Sequence, residues 1–393
     1  MYLMKILFLT ENYFPLVSGV PIVVKYLAEE LCKRGYDVTV VTQKSEDSPK
    51  SEIINGVKVF RFNIWRDWKH FYKGDIQSYL DFVISSRAEI NIIECAECIT
   101  TDVLLPHLKK LYGKVLFHSH GLSGFDNKFF ALKDNLKHTL GSTYNWFNSQ
   151  LYFKWTFKKA IKYIDAFMCL SEVDSGINYI KKNANKYFIL NNAADDMFFS
   201  INVPQGGLSK YSSLNNKHYI ISCANYTVVK NQKDMIRQYF MSDSSKSYSL
   251  VCIGSQKNKY YEECEDLVSE LKLQTGPRDV HLLSGVDRAD IPSIIKGASL
   301  YLVTSRWEQY SISIIEAMSQ GVPFISTNVG NAKILPGGTT VNSVNDMYMQ
   351  IDNLLANKAL LKNYAEMGKY FAYKNCRIDV VINKLEDVMQ KIV

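Results

Sequence analysis

Two acidic residues, Glu308 and Glu316, lie in the stretch TSRWEQYSISIIEAMSQGVP, just after the apolar run SLYLVT. The run reads as a strand and SRWEQYS as a loop. A helix is expected from about Ser311 to Gln320, closed by Gly321 and Pro323 in the order of a helix stop. Glu308 therefore falls at a helix N-terminus, where free backbone N–H groups and positive partial charge favour phosphate. A carboxylate beside phosphate is repelled unless it grips neutral groups such as sugar hydroxyls, so a ligand carrying both would suit this loop. The alternative for Glu308 is a solvated loop acid crowded by Trp307 and Tyr310. Glu316 has a ligand-free alternative, because Ser313 and Glu316 fit the S-x-x-E capping box. A second concentration of chemistry is VLFHSHG, where His118 and His120, two of the seven histidines, stand at one strand end.

These loops need elements to position them. Apolar runs alternate with amphipathic segments from KILFLT (5–10) through DVTVVT, VKVFRF, INII, KVLFH, AFMCL and YFIL (187–190). The alternation stops in the Gly-, Ser- and Asn-rich stretch beginning NNAADD. It restarts with YIISCA (219–224), YSLVCI, VHLLS, SLYLVT and PFIST (323–327). Such a pattern predicts an α/β protein of two doubly wound, Rossmann-like domains facing each other across a cleft. The expected boundaries are 1–190 plus 376–393 for one and 191–375 for the other. Ligands of such sheets sit at the carboxyl ends of the strands, which is where both groups of candidates fall.

Composition agrees with two folded domains: 393 residues, 47% hydrophobic and 22% charged. The eight cysteines are scattered, mostly in apolar runs, and read as buried thiols of a reducing cytosol. Cys95 and Cys98 form a C-x-x-C with no second pair at zinc spacing, which disfavours metal or redox use. Nowhere do 18 apolar residues run together, and ILFLT is too short for the core of a signal peptide. Of the net charge of +7, all but one unit lies in residues 1–190, with 25 Lys+Arg against 19 Asp+Glu. Within 128–163, seven lysines interleave with aromatics against Asp134 alone. This stretch is either a packed helix with a solvated lysine face or an interfacial helix for an anionic membrane surface. Nucleic acid is disfavoured, since no recognised motif accompanies the charge.

The stretch TSRWEQYSISIIEAMSQGVPFISTNVG resembles the donor-site signature of the family 4 retaining glycosyltransferases of GT-B fold: two acids separated by seven residues, followed by a small residue, Gly and Pro. The resemblance implies that Glu308 contacts the transferred sugar, that Glu316 holds the nucleotide ribose, and that Gln309, Tyr310 and Ser311 supply backbone contacts to sugar and phosphate. Other segments carry it over almost the whole chain. PLVSGVPIVVKYLAEEL is similar to the family's loop approaching the donor diphosphate or acceptor, with Gly19 in place of a Gly pair. There glycine permits close backbone approach or simply turns the chain into a helix. VLFHSHG is similar to the place of a histidine beside the transferred sugar, with His120 the better match and His118 the second. In ISCANYTVVKNQKDMIRQY, the family's diphosphate-clamping Arg and Lys fall on Asn225 and Lys230, so the Arg is missing. A lysine opening a helix opposes the helix dipole, so Lys230 reads better with an anion before it than as a solvated surface lysine. ILNNAADDMFF resembles the family's interdomain Asn-Gly-x-Asp pattern, with Ala193 replacing the Gly.

The resemblance implies metal-independent transfer of a hexose, with retention, from a nucleotide sugar to a saccharide or lipid-linked acceptor, in bacterial surface polysaccharide or glycolipid synthesis. UDP-sugar ranks before GDP-sugar as donor, no cofactor is implied, and the expected location is the cytoplasm or the inner face of the cell membrane. Two alternatives stay open: a nucleotide-sugar epimerase of the same fold and a non-catalytic nucleotide-sugar-binding subunit.

Overall fold

Runs such as KILFL, INIIE and SLVCIG are apolar on both faces because the parallel strands they form are covered on both sides. The computed structural model describes residues 3–16, 19–67, 71–125, 136–200, 210, 211, 214 and 217–393. The chain divides into two units, Met1–Asn191 with Val381–Val393, and Asn192–Val380.

In the first unit the strands are β1 (Lys5–Leu9), β2 (Asp37–Gln43), β3 (Ser51–Ile54), β4 (Val57–Phe62), β5 (Ile64–Arg66), β6 (Tyr72–Gly74), β7 (Ile90–Glu94), β8 (Lys114–His118), β9 (Ala166–Cys169) and β10 (Tyr187–Ile189). Eight of them form one sheet in the order β10-β9-β8-β7-β1-β2-β4-β3, and β5 and β6 form a separate antiparallel ribbon. All pairs of the large sheet are parallel except β3–β4 at its edge.

The second unit holds β11 (Tyr219–Cys223), β12 (Ser249–Gly254), β13 (Val280–Ser284), β14 (Leu300–Val303), β15 (Phe324–Thr327) and β16 (Gly338–Val341). They run in parallel in the order β13-β12-β11-β14-β15-β16. This is the doubly wound order in which winding reverses beside the first strand. Strands β3, β5, β6 and β16 add to the runs that the sequence marks as strands. SEII and GTTV carry no apolar run of their own, and pairing with a buried neighbour makes them strands.

Of the basic aromatic stretch, residues 128–135, with Lys128 and Lys133, lie outside the described residues. The helix Leu136–Leu151 continues through a π-helical segment, Tyr152–Phe157, into the turn Lys158–Ile161. Phe153 and Phe157 are buried in the core, Phe157 edge-on to Phe117. Tyr144, Phe147, Leu151 and Trp155, spaced three or four apart on a helix, are exposed. The segment thus packs by one face and presents an apolar stripe on another. Among the described residues no helix is long and apolar enough to cross a membrane.

Candidate functional site

The winding of the second unit reverses between the neighbours β11 and β14, so the loops leaving their carboxyl ends diverge into the crevice where such sheets take ligands. After β11 the chain passes Asn225 and Lys230 before the helix Gln232–Met241. After β14 it passes Glu308 before the helix Ile312–Ser319. The loops are tied together. Thr304 Oγ1 shares its hydrogen between the carbonyl oxygens of Lys230 and Asn231, 3.1 and 3.0 Å away, and the Arg306 N–H donates to the Val229 carbonyl at 2.8 Å. Asn231, in left-handed backbone at φ 58, turns the chain into its helix. The result is an ion pair between Lys230 Nζ and Glu308 Oε1, to which Ser305 Oγ also donates at 2.7 Å. Both side chains keep solvent contact, with 32% and 12% of their surfaces exposed.

The Glu308 loop is braced from behind. Thr327 Oγ1 donates to the Ser305 carbonyl at 2.6 Å, and Asn331 Oδ1 accepts the Ser311 N–H at 2.9 Å. Gly330, at φ +50, lies so close that a Cβ there would stand 2.6 Å from the Gln309 carbonyl oxygen and 2.8 Å from that of Glu308. Tyr310 and Ser311 are buried, the Tyr310 hydroxyl 3.7 Å from Cys376 Sγ. Asn225 is exposed in the facing loop, its carbonyl accepting from Gln232 Nε2 at 2.9 Å.

Glu316 departs from the capping-box expectation. The helix begins at Ile312 with Ser311 as its N-cap, so Ser313 already lies inside it, and Ser311 makes no side-chain cap bond. The Glu316 carboxylate is buried and paired with Arg288 from the loop after β13. The guanidinium also stacks 4.7 Å from the centre of the Phe198 ring. Burial pushes the Glu316 carboxyl up, and Arg288 opposes the shift. Nothing in the sequence beyond a cation following a strand marks Arg288.

In the first unit β7 and β8 are parallel neighbours whose register sets Glu94 beside His118. Two residues on, His120 takes a left-handed backbone, φ 49, followed by Gly121 at φ 80. Its Nε2 then lies 2.5 Å from Glu94 Oε2, while His118 Nδ1 is 3.1 Å from the same oxygen. Glu94, His118 and His120 are 0%, 1% and 8% exposed. Burial disfavours the Glu94 charge, yet the two histidines hold its carboxyl down at about 2. Burial and His118 push His120 down to about 4, against the pull of Glu94. Glu94 closes the run INIIE and has no sequence signal apart from ending a strand. Gly19 is the N-cap of the helix Val20–Lys33, at φ 51, and beyond its chain neighbours no atom of the described residues lies within 4 Å of where a Cβ would stand. Its backbone conformation, rather than crowding, calls for glycine. Cys95 and Cys98 are free thiols.

Glu94, His118 and His120 also form the one group among the described residues whose ligand atoms, within 4.8 Å of one another, have the spacing of a metal site. Both imidazoles approach a single carboxylate oxygen, with only His120 in hydrogen-bond geometry, and their rings lie 3.9 Å apart between centres. The His120–Glu94 contact is a hydrogen bond, whereas Oε1 of Glu94 and both ring nitrogens of His118 are buried with no hydrogen-bond partner among the described residues.

Two family models match this chain: glycosyltransferase family 4 over residues 17–174 and glycosyl transferases group 1 over residues 209–370. An uncharacterized glycosyltransferase of Methanocaldococcus jannaschii is 25% identical over 346 residues, covering 83% of this chain and 81% of that one. The GPI3 subunit of the Saccharomyces cerevisiae phosphatidylinositol N-acetylglucosaminyltransferase is 21% identical over 372 residues, covering 91% and 76%. Among solved structures, Anabaena HepE in complex with UDP-glucose superposes with a TM-score of 0.71 at 14% identity, over 99% of this chain and 100% of that one.

Proposed function

This chain belongs to the glycosyltransferases described by the group 1 and family 4 models and has their GT-B fold, and we propose that it is a retaining hexosyltransferase using a UDP-sugar before a GDP-sugar. The observation that carries this reading is the meeting of Lys230 and Glu308 at the winding reversal of the second unit. Here a cation and an acid wait for a ligand with a diphosphate and hydroxyls. Donor binding exchanges partners: the diphosphate takes Lys230 and the sugar hydroxyls take Glu308. Glu316 holds the ribose, Gln309 to Ser311 line the sugar and phosphate, and Asn225 and Gly19 face the diphosphate. His120, with His118 behind it, touches the transferred sugar. UDP-glucose in the Anabaena structure supports the choice of donor.

Breaking the anomeric C–O bond builds positive charge on the sugar and negative charge on the departing diphosphate. Lys230 and the N–H groups at the start of the helix Ile312–Ser319 stabilise the diphosphate. The acceptor attacks from the side the diphosphate leaves, and a diphosphate oxygen takes its proton. No protein nucleophile or metal ion takes part.

The acceptor is a saccharide or a lipid-linked molecule of a bacterial surface polysaccharide or glycolipid, met at the inner face of the cell membrane. The exposed stripe Tyr144, Phe147, Leu151 and Trp155, with Lys154, Lys158, Lys159 and Lys162 nearby, supports docking on anionic lipid. The yeast relative, named for a phosphatidylinositol acceptor, supports the same class. Nucleoside diphosphate release over a panel of UDP- and GDP-sugars, with and without lipid and oligosaccharide acceptors, tests the reading. Release that depends on an acceptor is expected, and release from donor alone would mark an epimerase instead. Vesicles of anionic phospholipid should sediment the protein at low salt, and Trp155→Ser with Phe147→Ser should abolish this.

A further inference from the structure

Glu94 is a buried acid to which the proposed reaction assigns no task. Its Oε2 stands between two imidazoles, 2.5 Å from His120 Nε2 and 3.1 Å from His118 Nδ1. The His118 ring, fully buried, lies 3.9 Å from the His120 ring at 40° and backs it on one side. The left-handed backbone at His120 and Gly121 turns the His120 ring onto this carboxylate. The next acid acting on His118 is Asp174, which is itself occupied by the Ser171 hydroxyl at 2.7 Å and the Leu170 N–H. An ionised carboxylate has no proton to give, so its contact with His120 requires the proton on Nε2. A neutral imidazole protonated there carries its lone pair on Nδ1. Burial keeps His120 neutral, and the two histidines keep Glu94 ionised.

We infer that Glu94 is a positioning residue that fixes His120 as its Nε2–H tautomer, so that Nδ1 is offered as an acceptor to a hydroxyl of the sugar substrate. The inference rests on the reading above that His120 touches the transferred sugar. A sugar whose hydroxyl at that contact is replaced by hydrogen or a methyl ether loses the bond.

The full chain, carrying ¹³C-labelled histidine, provides the test. The Cδ2 shift of each imidazole reports its tautomer, and His120→Ala identifies the signal. The wild-type signal should be that of the Nε2–H form, and Glu94→Gln, which keeps the shape of the buried side chain, should mix the tautomers. Glu94→Gln should lower kcat by about 10- to 100-fold, the cost of removing a group that orients an imidazole. In the His120→Ala background the same change should cost nothing further. An Nδ1–H signal in the wild type, or costs that add in the double variant, would overturn the role of Glu94. Loss of activity to a chelator with recovery on adding zinc would overturn it too, by making the cluster a metal site. Full turnover by His120→Ala would instead defeat the role of His120 on which the inference rests.

Discussion

Lys230 and Glu308, 78 residues apart, form an ion pair between the loops that leave two adjacent parallel strands of the second unit. The pair is partly exposed, so it contributes little to stability, about 0–1 kcal/mol. The more useful property is that each partner keeps its charge beside the other. Each partner is held in place while remaining within reach of a ligand that outbids the other.

Lys230→Ala and Glu308→Ala should therefore leave the unfolding midpoint nearly unchanged while lowering nucleoside diphosphate release by about 10²- to 10³-fold. Steady-state release assays beside urea unfolding check both halves. Turnover unchanged in both variants would sink the donor-site assignment.

The Arg288–Glu316 pair predicts the opposite balance, because Glu316 is buried. Arg288→Ala strands a buried carboxylate and should cost about 1–3 kcal/mol. Adding Glu316→Gln in the same chain should recover part of that loss, since the amide carries no charge to desolvate. Urea titrations of the two single variants and the double variant give the coupling. Glu316→Gln should also weaken donor binding, measured by calorimetry with the nucleoside diphosphate.

Gly330→Ala should displace the donor loop. The added Cβ meets the backbone oxygens of Gln309 and Glu308, and the left-handed φ of +50 strains any side chain. A drop in donor affinity of about tenfold or more is expected. Gly19→Ala, strained in φ but open in space, should keep donor affinity closer to wild type.

The buried pair in the first unit makes the protein acid-sensitive. Folded His120 takes up a proton only near pH 4, whereas the unfolded side chain does so near 6.5. Between these values the unfolded chain binds more protons, so stability rises with pH and is lost as pH falls from 6.5 towards 4. Glu94, lowered from 4.5 to about 2, adds to the loss below 4.5. Thermal melts between pH 7 and 4 should show a falling midpoint, and His120→Gln should flatten the upper part of that decline.

The candidate loop around Glu308 was legible because its marks are local. Glu308, Glu316 and the helix stop at Gly321 and Pro323 all fall within one short segment, and the strand before it is an unbroken apolar run. The alternation of runs that makes two α/β units is local for the same reason, since a strand buried on both faces must be apolar along its length. The partners were not legible. Arg288 is 28 residues from Glu316, and Glu94 is 26 from His120. Gly330 looks like any turn glycine until Gln309 packs on it. Ser313 and Glu316 satisfied a capping pattern that the helix, starting at Ile312, does not use. Residue types and spacing mark which loops are candidates for chemistry. Which acid meets which base depended on strand order and register, which bring distant residues together in buried surroundings where an unpaired charge is too costly to keep.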